Sequence, residues 1–283
     1  MSDLRPLGKE YVFTLAHFKA VKTLLYRFAG IKLADSKDAM VYSRLVRRIR
    51  VLKLSGFTAY LEYLQANECE HQEFINALTT NQTAFFREPH HFEVLKRYLQ
   101  THPHTKRIWC AASSTGEEPY SIAMVVAEHF GRFNTPIEII ASDIDSAVLK
   151  KAQTGIYPIE RIETVSDERK TLFFQRGKGA KLGQVRVIPE LKQMLQFTRI
   201  NLVDSFWSIK TPVDIIFCRN VMIYFDKATQ EAILKHMVLS LTEEGLYIAG
   251  HSENFNMFPQ ILTPVGQTTY QAVKGKTSAK TEY

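Results

Sequence analysis

Two adjacent carboxylates, Glu117 and Glu118, follow a run of small residues, Ala111-Ala-Ser-Ser-Thr-Gly116, and precede Pro119. Ahead of the run, Arg107-Ile-Trp-Cys110 is a short apolar stretch that reads as a strand. Behind it, Ile122, Ala123, Val126 and Phe130 recur at helical spacing. Gly116 lets the backbone of the turn approach a ligand closely, and Pro119 suits the first turn of a helix, where a missing N–H costs nothing. A phosphate-binding loop would offer bare N–H groups and a positive helix end to an anion. Two carboxylates in the first turn do the opposite: they repel phosphate and attract a cation. Ordinary compensation of the helix dipole would also place acids there, so the next strand has to decide.

That strand, Ile137-Glu-Ile-Ile-Ala-Ser-Asp143, ends on an acid. In Rossmann-like sheets an acid at this point accepts hydrogen bonds from ribose hydroxyls. Asp143 fits that role, while Asp145 or Ser142 suits the N-cap of the helix marked by Val148, Leu149 and Ala152. The G-x-G-x-x-G fingerprint of dinucleotide sites is absent. What remains is a nucleoside site that takes a cationic ligand, the chemistry of S-adenosylmethionine with its sulfonium and ammonium groups. A third apolar run, Val213–Cys218, leads into Arg219, Asn220 and Tyr224 at the carboxyl edge, where ligands sit in open α/β sheets. No Asn/Asp-Pro-Pro-aromatic turn follows it, which argues against methylation of base amines. Arg87 is either a plain surface cation or, held near the carboxyl edge by Phe85, Phe86 and Phe92, a group that could pair with a ligand carboxylate in a bidentate fork. His90 and His91 read as polar residues of a helix start.

The elements that carry these residues fall into two patterns. Leu15, Phe18, Val21, Leu25 and Phe28 make one apolar helix face ended by Gly30. A second helix, capped by Asp35 or Ser36, turns Val41, Leu45, Ile49 and Leu52 inward, with Gly56 past its end. It carries Arg44, Arg47, Arg48, Arg50 and Lys53, with no acid after Asp38. Two further patterns (Leu61, Leu64; Phe74, Ile75, Leu78) complete a helical domain over residues 1–80. A linker, 81–91, precedes an α/β domain over 92–275, and 276–283 read as a tail. Within the α/β part, Leu172–Ile188 reads as strand, glycine-rich turn and strand. Gly177, Gly179 and Gly183 exclude a helix there, and a small β-subdomain is expected at about 172–200.

The chain has 283 residues and a formal net charge of +7, which points to an acidic partner. No run approaches membrane-spanning length, and no apolar signal core opens the chain. Cys69, Cys110 and Cys218 are odd in number and lack metal-ligand spacing, as expected of reduced thiols in a cytoplasmic protein with no metal. The basic helix is either a solvated face or a docking surface for an acidic helix through Arg44, Arg47, Arg48 and Arg50. No aromatic residues interleave with its arginines as a single-strand binding groove requires.

Five stretches together resemble the chemotaxis receptor methyltransferases of the CheR family: residues 81–87 (NQTAFFR), 114–123 (STGEEPYSIA), 141–145 (ASDID), 217–226 (FCRNVMIYFD) and 249–254 (AGHSEN). The resemblance implies an α/β fold, a Rossmann-like S-adenosylmethionine methyltransferase sheet with an N-terminal helical domain and a small inserted β-subdomain. It implies that Asn81, Thr83, Arg87, Glu118, Asp143, Asn201, Leu202, Arg219 and Asn220 line the cofactor pocket, with Glu117 as the alternative to Glu118. Tyr224 would stand near the transferred methyl group, and Arg87 and Tyr224 are the candidates for positioning the reactants. The implied reaction converts receptor glutamates to methyl esters and leaves S-adenosylhomocysteine.

An acceptor carboxylate is already ionised at neutral pH, so no catalytic base is required. His251, in Gly-His-Ser-Glu-Asn, reads as structural. The implied partners are the cytoplasmic helical domain of chemotaxis receptors and, at the glycine-spaced turn of Gly177, Gly179 and Gly183, a receptor C-terminal tail peptide added as a strand. Membrane contact would come only through the receptor, no nucleic acid is expected, and a monomer is. Two rivals are a nucleic-acid methyltransferase, motivated by the charge, and a receptor-binding protein that has lost turnover.

Overall fold

A computed structural model describes residues 10–273; the tail read at 276–283 lies outside them. Contacts divide the chain into two units: the residues up to Thr80 together with Tyr224–Asp226, and the remainder from Asn81 onward.

The first unit holds four helices, α1 (Leu15–Ala29), α2 (Asp38–Val51), α3 (Phe57–Ala66) and α4 (Glu68–Leu78). Thr14 caps α1 by accepting the His17 N–H at 3.2 Å, while its own N–H donates to His17 Nδ1. Gly30 ends the helix at φ 68°, its N–H on the Tyr26 carbonyl. The buried face of α1 is Phe18, Val21, Leu24, Leu25 and Ala29; Leu15, expected inward, is exposed because it stands at the first helical position. Ahead of α2, Asp35–Lys37 form a short 3-10 turn, and neither Asp35 nor Ser36 caps the helix through its side chain.

Most arginines of α2 are engaged by the unit itself. Arg44 donates to the Thr79 carbonyl at the end of α4 (2.5 Å). Arg48 grips the buried Glu70 with two nitrogens (2.9 and 2.6 Å) and also reaches Glu73. Tyr60 donates to the same Glu70, closing a charge-assisted knot between α2, α3 and α4. Arg50 pairs with Glu10. Arg47 is exposed and has no partner among the described residues.

The second unit is α/β. In chain order it contains α5 (His90–Thr101), β1 (Arg107–Cys110), α6 (Glu117–Phe130), β2 (Glu138–Asp143), α7 (Ser146–Thr154) and β3 (Ile156–Pro158). Then come α8 (Asp167–Phe173), β4 (Phe174–Arg176), β5 (Gln184–Val187), α9 (Pro189–Gln193), β6 (Leu195–Arg199) and β7 (Val213–Cys218). Last are α10 (Lys227–Ser240), β8 (Leu241–Ala249), β9 (Leu262–Gly266) and β10 (Thr269–Ala272). The large sheet has the order β6-β2-β1-β7-β8-β10-β9, parallel from β6 to β8 and closed by antiparallel β10 and β9. The near-continuous apolar runs of β1, β2 and β7 are what a sheet covered on both faces demands. Cys110 lies level with Ala141 on one side and Phe217 on the other, so the carboxyl ends of β1, β2 and β7 reach one edge together. Between β1 and β7 the strand order reverses, the switch point at which such sheets open a crevice.

The small sheet, order β3-β5-β4, is antiparallel. The β4–β5 hairpin turns through Gly179 (φ 58°) and Gly183 (φ 81°). The small sheet differs in extent from the expected 172–200. It begins upstream at β3, and β6 at 195–199 belongs to the large sheet. Ile-Tyr-Pro is too short to show alternation and contains a proline, so β3 had no legible strand signal.

Candidate active site

The turn from β1 to α6 is held from several sides. Ser113 N–H donates to the Ser142 carbonyl (2.9 Å), and Ser114 N–H donates to the Asp143 carboxylate (2.8 Å). Ser114 Oγ donates to the Asn81 carbonyl, bringing the linker onto the turn. Gly116 sits at φ 100°, and a Cβ there would lie 2.8 Å from Tyr157 Oη and 2.9 Å from Ala152 Cβ. Both the left-handed conformation and the close approach require glycine. Tyr157, from β3, donates to the Thr115 carbonyl (2.7 Å).

Asp143 ends β2 as expected, and its carboxylate also accepts the Asp145 N–H (2.9 Å). Asp145 is the N-cap of α7, accepting the N–H groups of Ala147 and Val148. Asn81 Nδ2 donates to its other oxygen (2.7 Å). Burial pushes the Asp143 carboxyl up to about 6, although the Asp145 and Ser114 N–H groups pull the other way. Asn201 and Leu202 follow β6 beside it, through Ile200 N–H on the Asp143 carbonyl.

Glu117 and Glu118 are both buried, and they have different partners. Glu117 pairs with Arg161 and accepts the Thr115 hydroxyl (2.6 Å). Arg161 also donates to the Thr83 carbonyl (2.9 Å), so this cation joins the linker to the start of α6. Glu118 points to the switch point, where it pairs with Arg219 and accepts the Cys110 thiol (3.3 Å). Arg219, with its side chain 1% exposed, also donates to the Arg87 carbonyl (2.6 Å) and meets Glu88 at 3.2 Å. Arg87 donates to the Gln82 carbonyl and lies 3.8 Å from Glu88.

Glu88 and Glu253 carry no catalytic or binding signature in the sequence. Glu88 accepts Asn220 Nδ2 (3.4 Å) and the His251 N–H (2.9 Å) besides Arg219. Burial, the largest influence, pushes its carboxyl up, but the Arg219 charge and the hydrogen bonds from Arg219 and Asn220 together outweigh this and the net direction is down. Glu253 accepts four backbone N–H groups, from Asn220, Val221, Met222 and Gly250, at 2.7–2.9 Å. The only available signal was position: Glu88 directly follows Arg87, and Glu253 lies in the Gly-His-Ser-Glu-Asn stretch.

Four non-glycine residues adopt left-handed backbone here: Phe86 (φ 52°), Glu88 (56°), Ser114 (48°) and Asn220 (57°). Such conformations persist only where surrounding contacts over-determine them, and they gather at functional sites. Tyr224 ends the 3-10 turn after β7 and groups by its contacts with the helical unit, its carbonyl taking the Lys32 N–H. His91 is fully buried, with Nε2 2.7 Å from Thr268 Oγ1, and burial holds its ring down at about 3. The His251 side chain is exposed.

Among the buried polar atoms without a hydrogen-bond partner at this edge are Ser113 Oγ and Arg219 Nε. With the Asp143 and Glu118 carboxylates, they make a set of acceptors and donors matched in kind to a ligand carrying hydroxyls, an ammonium and a carboxylate. S-adenosylmethionine carries all three.

Comparison with known proteins agrees with this arrangement. The profile described as CheR methyltransferase, SAM binding domain, matches residues 81–271, and that described as CheR methyltransferase, all-alpha domain, matches residues 16–79. The chain is 51% identical over 267 residues to Chemotaxis protein methyltransferase 2 of Pseudomonas aeruginosa, covering 93% of this chain and 95% of that one. It is 49% identical over 277 residues to Chemotaxis protein methyltransferase of Salmonella typhimurium, covering 97% and 96%. The Escherichia coli protein of the same name is 48% identical over 261 residues, covering 92% and 91%. With both profiles in order along the chain, and a cation-accepting turn at the switch point of the sheet, the protein belongs to the CheR methyltransferase family.

Proposed function

We propose that this chain methylates glutamate side chains on the cytoplasmic helical domain of chemotaxis receptors, forming methyl esters. S-adenosylmethionine supplies a methyl group on a sulfonium, an electrophile that needs no further activation. The observation carrying the choice of acceptor is that the buried thiols and imidazole near the switch point are unfit as bases, while Asp143, pushed up to about 6, is occupied by the Ser114 and Asp145 N–H groups. Burial pushes the Cys110 and Cys218 thiols up, and it pushes the His91 ring down to about 3. An alcohol or amine acceptor would call for a proton acceptor poised near neutrality; a carboxylate arrives ionised.

In this reading Asp143 accepts the ribose hydroxyls, Glu118 rather than Glu117 faces the ammonium, and Arg219 Nε meets the ligand carboxylate. Glu118 is favoured because it lies with Arg219 and Cys110 at the carboxyl ends of β1 and β7, whereas Glu117 is turned to Arg161 and Thr115. Asn81, Thr83, Asn201, Leu202 and Asn220 complete the walls. Arg87 and Tyr224 orient the acceptor, and holding the reacting atoms in line contributes up to about 7–11 kcal/mol. Arg47 is the α2 cation left to meet an acidic receptor helix. The edge strand β4 and its glycine turn are the place for a tail peptide to add as a strand. The protein would act as a cytoplasmic monomer, reaching the membrane only through its receptor.

The test is methyl transfer from labelled S-adenosylmethionine to receptor-containing membranes, followed by mild alkali, for the natural chain and Arg87→Ala. Label released as methanol, and lost in the variant, is the expected result. Alkali-stable label would transfer the assignment to an amine or a nucleic-acid base. Cofactor binding without label would indicate a receptor-binding protein.

A further inference from the structure

We propose that Glu253 is a positioning residue for cofactor binding, its carboxylate acting as the fixed anion around which the turn carrying Arg219 and Asn220 is folded. The inference rests on the reading that the cofactor meets this turn. Glu253 is 4% exposed. One oxygen accepts the N–H groups of Asn220 (2.9 Å) and Gly250 (2.7 Å); the other accepts those of Val221 (2.9 Å) and Met222 (2.8 Å). Three of these donors belong to the segment just after β7, and the fourth is the residue just after β8. A single carboxylate thereby joins the carboxyl ends of two neighbouring strands at the edge where the candidate site lies.

The turn needs such an anchor. Asn220 is in the left-handed region at φ 57°, a conformation that external contacts hold in place. Glu253 is itself rigid: its own N–H donates to the Gly250 carbonyl (2.9 Å), so the residues from 250 to 253 form a closed turn. Gly250 completes the fit, since a Cβ there would lie 2.3 Å from Asn220 Nδ2. Glu88 secures the side chains of the same turn, Arg219 and Asn220, while Glu253 secures its backbone.

The chemistry of the anchor is specific. Four N–H donors require four acceptor lone pairs, which only an ionised carboxylate offers. Glutamine has the same shape but replaces one oxygen with an NH₂ group, setting donors against two backbone donors.

The experiment measures the dissociation constant of S-adenosylhomocysteine by calorimetry, and the thermal midpoint, for the full chain and for Glu253→Gln, Glu253→Asp and Val213→Ala. Val213 is buried at the opposite end of β7 and serves as the comparison for loss of stability alone. Expected is affinity about tenfold or more weaker for Glu253→Gln, an intermediate loss for Glu253→Asp, and a change under about twofold for Val213→Ala at a similar midpoint loss. If Glu253→Gln does not fold, the Glu253→Asp affinity compared with Val213→Ala decides. Affinity kept within about twofold in the folded glutamate variants, or lost equally in Val213→Ala, overturns the positioning role. Failure of the unaltered chain to bind the ligand overturns the functional reading and this inference with it.

Discussion

Acidification is expected to weaken cofactor binding chiefly through Asp143; burial pushes the Glu253 carboxyl up as well, so its protonation adds in the same direction. The Asp143 carboxyl is 7% exposed and pushed up to about 6 by burial. Ribose hydroxyls are donors to Asp143 in the proposed site, so they favour its ionised form. Between pH 7 and pH 5 the ionised fraction falls from roughly 0.9 to roughly 0.1, and affinity should fall about tenfold. That window lies below the α-amino range of roughly 7.7–8.0, so the ligand's own ammonium does not titrate in it. Calorimetry with S-adenosylhomocysteine in buffers of different ionisation enthalpy should detect about 0.9 proton released per ligand at pH 5 and about 0.1 at pH 7.

The sign for the ligand-free protein is opposite. A carboxyl raised from 3.8 to about 6 contributes stability that is fully present below about pH 4 and lost as pH rises through 6, at most about 3 kcal/mol. Ligand should therefore stabilise the protein more at pH 7 than at pH 5. Asp143→Asn should bind weakly at pH 7 and lose most of the pH dependence. An affinity constant to within about twofold from pH 7 to pH 5 would refute the reasoning.

Arg219→Ala leaves the buried Glu118 and the half-buried Glu88 without their shared cation, and should cost about 3–5 kcal/mol in denaturant unfolding besides abolishing cofactor binding. Gly250→Ala drives a methyl into Asn220 Nδ2 and should destabilise by about 1–3 kcal/mol, with cofactor affinity falling in the same titration. Arg44→Ala removes the tie to the Thr79 carbonyl and should cost about 1–2 kcal/mol by thermal melting. Arg47→Ala should leave the midpoint within about 0.5 kcal/mol of the natural chain while slowing methyl transfer to receptor membranes, most clearly at low salt.

Periodicity and end signals made the large elements legible: the apolar runs of β1, β2 and β7, the Gly30 stop and the acidic first turn of α6 all follow from local physics. Asp143 at the end of its strand was legible for the same reason. What the sequence did not separate were residues of one type at adjacent positions. Glu117 and Glu118 are distinguished only by Arg161 and Arg219, which lie 44 and 101 residues away. Glu253 has no local pattern at all, because its four donors come from backbone whose side chains are irrelevant to the contact. The basic helix misled in the other direction: a row of arginines looks like a surface for a partner, yet Arg44, Arg48 and Arg50 find theirs on the chain itself.

The small sheet looks like an accessory that could be exchanged between relatives or trimmed to make a minimal enzyme. Its first strand and the turn after it carry Tyr157, which supports the Thr115 carbonyl, and Arg161, which neutralises the buried Glu117. Phe85 of the linker packs edge-on against Tyr157 and against Phe174 of β4. Excising residues 156–187 would therefore strip a phenol from the glycine turn and leave an uncompensated charge in the interior. A graft that alters what this sheet grips must leave positions 157 and 161 untouched. Donor boundaries are better drawn inside the hairpin, after Phe174 and before Val185, than at the ends of the insertion.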